Sequence, residues 1–196
     1  IDAGITEADL DPAQPEGFPT RDANHLGLTF PTGLEPVAVP ATPRPSTSDA
    51  LPQADVLVLV WTVAEARALA DVMTPGVSAS SGWYRYDRRF AEYVDDIRKG
   101  APARTAGRLG SYHLSDVGGR RVLCFKSELH LNQDGVRRGG HTTLPVAQLI
   151  DQLIDEVHPR LVVTSGTSGG TMRSHGLGDV VITRAAPTSD RPLGRR

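Results

Sequence analysis

The residues of this sequence best suited to chemistry follow directly after two apolar runs. Glu65 lies just beyond the run Val56–Val60 (VLVLV), and the glycine-rich stretch GTSGG, residues 166–170, begins just after Leu161–Thr164 (LVVT). Apolar, β-branched runs of this length are typical of buried strands, so the carboxylate and the glycine turn are both expected at strand ends. A glycine turn in that position brings backbone N–H groups and small hydroxyls to a place that a ligand can approach closely.

The glycine-rich stretch departs from the common glycine loops. Its second glycine falls three residues after Gly166, unlike the dinucleotide-binding pattern G-x-G-x-x-G, and no lysine follows at P-loop spacing. The stretch also echoes the G-x-S-G-G sequence around the nucleophile of trypsin-like proteases, with Ser168 in the serine position. That fold is all β, whereas residues 142–158 have the pattern of a helix. These comparisons disfavour a dinucleotide, a P-loop and a protease interpretation.

Hydrophobic periodicity predicts helices and strands in alternation. We predict helices over 63–73, 83–97 and 142–158, a β-hairpin of strands 108–117 and 120–129 around Gly118 and Gly119, and further strands from 54, at 161–164 and over 179–183. Thr62 is expected to cap the first helix, and the second is expected to turn Phe90, Val94 and Ile97 inward. This order indicates an α/β fold, a three-layer sandwich with a mixed central sheet.

Composition divides the chain into three parts. Residues 1–53 are rich in proline, which removes backbone donors and prevents long helices, so we expect a largely extended arm or linker there. Residues 54–186 carry the periodic segments and are predicted to form the α/β domain. Residues 187–196 show neither a helix pattern nor a strand pattern and are predicted to form a tail.

Bulk properties exclude several classes of function. The net charge of -2 and the pI of about 6.3 give no overall attraction to nucleic acid or to an anionic membrane. Cys124 is the only cysteine and has apolar neighbours, which indicates a buried structural thiol and a reducing compartment. No apolar run approaches the roughly 18 to 20 residues of a membrane span. The histidines at 130, 141, 158 and 175 lack metal-ligand spacing. We therefore expect a soluble, cytoplasmic protein without metal or cofactor.

Two motifs together resemble the nucleoside phosphorylase superfamily. The glycine turn and the later segment LGDVV, residues 177–181, are similar to the superfamily's T-G-[ST]-A-G-G turn followed by L-x-[LV]-G-D-[VI]-V. The run VLVLVWTVAEARAL, residues 56–69, resembles the opening strand and helix of methylthioadenosine/S-adenosylhomocysteine nucleosidases. This resemblance implies a nucleoside phosphorylase-like fold and a nucleoside or nucleotide as substrate.

The resemblance also implies roles for individual residues. Glu65 falls on the family's water-activating glutamate, which would hold water beneath ribose C1′ while the bond to a purine breaks. The substrate-binding residues it implies are Trp61, Thr62, Thr167, Ser168, Gly169 and Gly170. Residues 130–141 form a polar, glycine-rich segment, which we predict to be a loop too flexible to contribute to the core. Arg137 and Arg138 lie in this loop before a helix, where they could bind a 5′-phosphate, although a solvated loop is the alternative.

The choice of nucleophile follows from the same alignment. Thr164 stands where phosphorylases of this superfamily carry a phosphate-binding arginine, and Glu65 would repel inorganic phosphate. Water is therefore the expected nucleophile, which makes the predicted activity a nucleosidase-like cleavage of an N-glycosidic bond. Phosphorolysis is the alternative, because Arg67 lies nearby.

The resemblance covers only the N-terminal part of a family domain. The family's later Met-Glu pair, which binds the ribose hydroxyls, and its purine-protonating aspartate have no counterpart here. We therefore expect the domain to be incomplete at its C-terminus, and to be a homo-oligomer or to be completed by another segment. A non-catalytic nucleoside-binding or assembly module is the alternative to an enzyme.

Overall fold

The computed structural model describes residues 27–130, 134–167 and 180–182. The chain divides into two compact units, of which the first ends at Gly166 and the second begins at Thr167. In the second unit, Thr167 and residues 180–182 are described; they are exposed and belong to no helix or strand. The strand predicted over 179–183 is therefore wrong for the described residues Val180, Val181 and Ile182. The predicted tail, 187–196, lies outside the described residues.

The first unit is built around a mixed sheet. Its strands are β1 (Val37–Val39), β2 (Val56–Val60), β3 (Tyr84–Tyr86), β4 (Gly110–Val117), β5 (Arg120–Ser127) and β8 (Leu161–Thr164), and a separate two-stranded ribbon is formed by β6 (Arg137–Arg138) and β7 (His141–Thr142). Within the described residues the order is β1-β4-β5-β2-β8, with β3 also pairing with β4. β5, β2 and β8 are mutually parallel, whereas β4 is antiparallel to β5 and to both β1 and β3.

Helices cover both faces of this sheet. Helix α1 (Val63–Met73) packs Ala70 on one face, with Val122 and Cys124 of β5. Helix α4 (Pro145–Val157) buries Leu149 and Leu153 on the other face, with Leu57, Leu123 and Phe125 among their core neighbours. Successive strand residues therefore contribute to opposite cores, as the two-residue period of a strand requires. The predicted α/β class and mixed sheet are confirmed, and the nucleoside phosphorylase-like arrangement stays a prediction.

Helix α1 has the predicted bounds because its termini are defined locally. The Thr62 hydroxyl accepts a hydrogen bond from the Glu65 N–H at 3.1 Å, and the Glu65 carboxylate accepts from the Thr62 N–H at 2.9 Å, which completes a capping box. Thr74 ends the helix, and Gly76 follows with a φ of 78°. The predicted Thr62 cap is confirmed.

The predicted helix over 83–97 is wrong. The segment forms β3, then the short helix α2 (Phe90–Tyr93) and a 3-10 turn at Val94–Asp96. Tyr84 and Tyr86 alternate inward with period two and pair with β4, while Arg89 adopts a φ of 59° and interrupts any continuous helix. The prediction that Ile97 points inward is confirmed, because Ile97 is fully buried.

The sheet begins earlier in the chain than predicted. Val37–Val39 pairs with β4 as β1, and Leu51 is buried with its N–H donating to Glu156 at 2.8 Å. The arm predicted over 1–53 therefore contributes a strand and a core residue to the α/β unit. Proline density alone did not reveal this, because short edge strands tolerate neighbouring prolines.

Cys124 is buried in the core beneath α1, as predicted. Burial raises the pKa of its thiol to about 12, so the reactive thiolate is scarce at neutral pH. We expect iodoacetamide at about pH 8 to leave Cys124 unmodified in the native chain and to alkylate it in denaturant, where the pKa returns to about 8.5. Mass spectrometry measures both reactions, and rapid alkylation of the native chain would contradict this burial.

The remaining helix, α3 (Pro102–Ala106), is short and precedes β4. No helix among the described residues combines the length and the apolar content needed to cross a membrane.

Candidate functional site

The candidate site is the edge at which the parallel strands end. β2, β5 and β8 run in the same direction and end at Val60, Ser127 and Thr164. Val60 pairs with Lys126, and Leu59 pairs with Thr164, so the residues that follow these three strands leave the sheet next to one another. In open α/β sheets this carboxyl edge is where ligands bind. Helix α1 begins at the same edge, because it directly follows β2.

Glu65 is held at this edge by the backbone. One carboxylate oxygen, Oε2, accepts hydrogen bonds from the N–H groups of Trp61 at 3.0 Å and Thr62 at 2.9 Å. Both donors belong to the turn between β2 and α1, and they fix the carboxylate in place through the capping box. The side chain therefore stabilises the helix start and is oriented at the same time.

The other carboxylate oxygen of Glu65 points to the end of β8. A Cβ atom built on Gly166 would lie 3.5 Å from Oε1. The carboxylate predicted from the first motif and the first glycine of the second motif are therefore brought together, although Gly166 is about 100 positions further along the chain. A methyl-sized group on Gly166 would stand in ordinary van der Waals contact with the carboxylate.

Trp61 and Thr62 lie where the sequence predicted, at the end of β2. The Trp61 ring packs against the core on the α4 face, and its Nε1 is buried without a hydrogen-bond partner among the described residues. A buried indole N–H without an acceptor is unfavourable by about 1 to 3 kcal/mol. The Thr62 hydroxyl is engaged as the helix cap.

The structure gives the predicted arginine pair two different environments. Arg137 and Arg138 lie in the ribbon β6–β7, whose turn is made by Gly139 and Gly140 with φ of 54° and 85°. Arg138 pairs with Asp96 at 3.1 Å and donates to the carbonyl of Asp95 at 2.7 Å, so its guanidinium is committed to the 3-10 turn. The Arg137 side chain is exposed. This arrangement therefore disfavours a phosphate site formed jointly by the two guanidinium groups.

The segment between β5 and the ribbon, which the sequence indicated as flexible, is tightly built where it is described. Asp134 has a side chain only 2% exposed, and a Cβ on Gly135 would lie 2.0 Å from the carbonyl oxygen of Thr143. The backbone of Gly135 therefore lies directly against the residues that precede α4. The prediction of a loop too flexible to contribute to the core is wrong at these two positions.

Asp134 orients the imidazole of His130. Its Oδ2 accepts from the His130 N–H at 2.6 Å and lies 3.3 Å from the ring Nδ1. Burial alone would raise the pKa of Asp134, but its hydrogen bonds to His130 and the charge of Arg98 hold that pKa below its usual value. A buried, ionised carboxylate thus faces an imidazole that is about one quarter exposed. Sequence reasoning missed this pair, because both residues stand in a polar, glycine-rich segment.

A buried ion cluster lies behind this edge. Glu128 follows β5 and accepts from Arg108 at 2.8 Å and from Lys126. Burial by itself would raise the pKa of Glu128, but the charges and hydrogen bonds of Lys126 and Arg108 lower it overall. The cluster carries one more positive than negative charge, with Glu128 only 6% exposed. It fixes the end of β5 from which His130 projects.

Other parts of the structure do not contribute to this edge. A cleft of about 400 Å³ lies between α2 and α4 and is lined mainly by acidic and amide side chains; it includes none of the predicted site residues. Among the described residues, no group of three or more His, Cys, Asp or Glu side chains could hold a metal ion. Thr167 belongs to the second unit and is exposed, and Ser168, Gly169 and Gly170 lie outside the described residues.

Comparison of the chain with protein-family models, with curated proteins and with solved structures finds no match.

Proposed function

We propose that this chain cleaves the N-glycosidic bond of a purine nucleoside or nucleotide, with water as the nucleophile and Glu65 as the base that holds it. The single observation that carries the proposal is that Glu65 lies beside Gly166, the first residue of the glycine stretch. A Cβ atom placed on Gly166 would lie 3.5 Å from Glu65 Oε1. This supports the resemblance, because the first residue of the second motif lies beside the glutamate of the first motif.

The chemistry suits a carboxylate in this environment. Breaking the bond between ribose C1′ and a base nitrogen develops positive charge on the ribosyl group, which a correctly placed water captures. Glu65 Oε2 is held by two backbone N–H groups, so its orientation is fixed before substrate binds. A water hydrogen-bonded to this carboxylate would be oriented and deprotonated as it attacks.

Hydrolysis and phosphorolysis are separated by a direct assay. The full chain is incubated with adenosine, inosine, methylthioadenosine and AMP, each with and without inorganic phosphate, and released base is measured by chromatography. We expect release from at least one substrate without phosphate. Release that requires phosphate would establish a phosphorylase, and no release from any substrate would contradict the enzymatic proposal.

Gly166→Ala tests the space beside the carboxylate. The added methyl group would stand at ordinary van der Waals distance from Glu65 Oε1, and no positive φ opposes alanine at this position. We expect the free energy of unfolding to stay the same or to rise by about 0.4 to 1 kcal/mol. The rate of base release should fall about 10²-fold, because a misplaced water loses its geometry. Chemical denaturation and the base-release assay measure the two effects, and an unchanged rate would remove Gly166 from the site.

A non-catalytic nucleoside-binding module is the second candidate, and one observation favours it. Glu65 already has a structural task, since it completes the capping box of α1. A chain that kept this glutamate only for the helix would bind a nucleoside without cleaving it. When no base is released, isothermal titration with adenosine and inosine tests this second candidate: a saturable signal would support a binding module, and no signal would contradict it.

A further inference from the structure

We infer that His130 is the general acid of this site, with Asp134 as the residue that positions it. The inference rests on the proposed function and adds the group that protonates the departing base. A purine anion is a poor leaving group, so a ring nitrogen of the purine must receive a proton while the bond to C1′ breaks. The carboxyl edge of the sheet must therefore supply a proton donor opposite the water.

The position of His130 follows from the strand register. Val60 and Lys126 are paired on the parallel strands β2 and β5. Glu65 follows Val60 by five positions and His130 follows Lys126 by four, so both side chains belong to segments that leave adjacent strands at the same edge. Adjacent strands lie about 4.8 Å apart. A ribosyl group held over this edge could touch a residue from each segment.

The hydrogen bonds of His130 define which nitrogen can act. Nδ1 faces the buried Asp134 Oδ2 at 3.3 Å, and the same oxygen accepts from the backbone N–H of His130 at 2.6 Å. Asp134 is itself anchored, because its carbonyl accepts from the Arg98 N–H at 2.7 Å. The imidazole is thereby fixed with Nδ1–H donating to the carboxylate. Among the described residues Nε2 has no hydrogen-bond partner, and it remains available to a ligand.

A carboxylate hydrogen-bonded to an imidazole fixes the tautomer and the orientation of the ring. The C1′–N bond breaks with both electrons passing to the base nitrogen, and a ring nitrogen of the base takes the proton from Nε2 of His130. Water adds to C1′ through its oxygen and gives a proton to Glu65. Proton transfer through solvent from Glu65 to the imidazole restores both residues. The products are the free base and ribose.

The test compares two leaving groups in His130→Gln. Glutamine can still donate a hydrogen bond toward Asp134 but cannot transfer a proton. We expect release of a purine from its nucleoside to fall about 10²- to 10⁴-fold. Hydrolysis of p-nitrophenyl riboside should change little, because nitrophenolate departs without protonation. His141→Gln, at an exposed position of the ribbon, is the matched control and should leave both rates unchanged.

The outcomes separate this inference from the proposed function. If the wild-type chain cleaves both substrates and His130→Gln slows them equally or not at all, His130 is not the acid while the hydrolase proposal stands. If the wild-type chain cleaves neither substrate, both proposals fail. Circular dichroism verifies folding of each variant. Should His130→Gln unfold, His130→Ala with added imidazole replaces it: restored purine release supports the role, and a folded variant without restoration contradicts it.

Discussion

We expect Glu65→Gln to lower the proposed rate of base release about 10²- to 10⁴-fold and to leave helix α1 intact. Glutamine at the third helical position completes a capping box as glutamate does, so its amide oxygen can accept from the N–H groups of Trp61 and Thr62. It cannot accept a proton from water. The substitution therefore separates the proposed role of Glu65 as a base from its role as a helix cap. The rate of base release measures the first role, and thermal unfolding measures the second.

The control for this variant is Thr62→Ala. It removes the hydroxyl that accepts from the Glu65 N–H at 3.1 Å and should destabilise the protein by about 0.5 to 2 kcal/mol. Its carboxylate at position 65 stays ionisable, so base release should fall far less than in Glu65→Gln. If Glu65→Gln retained the wild-type rate, Glu65 would be a helix cap only.

We expect Glu128→Gln to destabilise the fold by about 3 to 5 kcal/mol. The substitution leaves Lys126, which is nearly buried, without its counter-charge, and weakens the hydrogen bonds from Arg108. Because folding lowers the pKa of Glu128, the stability from its charge is present above the pKa of the unfolded carboxyl, about 4.3. It is lost as the pH falls through the lower pKa of the folded state. Wild-type and variant stabilities should therefore converge in acid.

Urea denaturation of both proteins across neutral and acidic pH measures this effect. Glu92→Gln is the matched control, since Glu92 pairs with Arg89 at 2.6 Å but at the exposed surface. Solvent screens such a pair, and its loss should leave the denaturation midpoint nearly unchanged. Equal stability of Glu128→Gln and the wild type at neutral pH would show that the cluster contributes nothing to folding.

The elements with local signals were predictable from the sequence. Thr62 and the sequence TPG define both ends of α1, and Gly118 and Gly119 define the hairpin of β4 and β5, so their bounds needed no tertiary information. The strand β3 was missed because its alternating aromatic residues are followed by apolar residues at helical spacing. Only pairing with β4, at the register Tyr84 to Tyr112, decides in favour of a strand.

The candidate site was predictable only in part for the same reason. Glu65 and Gly166 could be placed at strand ends, and the parallel register of β2 with β8 explains why they meet. His130 and Asp134 gave no signal of burial, because they stand in a polar, glycine-rich segment. Their arrangement depends on the close approach of Gly135 to Thr143, a tertiary contact that no local pattern encodes.

The most direct test of the central claim is the fate of solvent oxygen during base release. The full chain is incubated with purine nucleosides in ¹⁸O-labelled water without phosphate, and the released sugar is analysed by mass spectrometry. We predict free base together with ribose that carries one ¹⁸O at C1′, formed by the wild type and strongly reduced in Glu65→Gln. Absence of released base, or release that depends on phosphate and yields ribose 1-phosphate, would contradict water as the nucleophile held by Glu65.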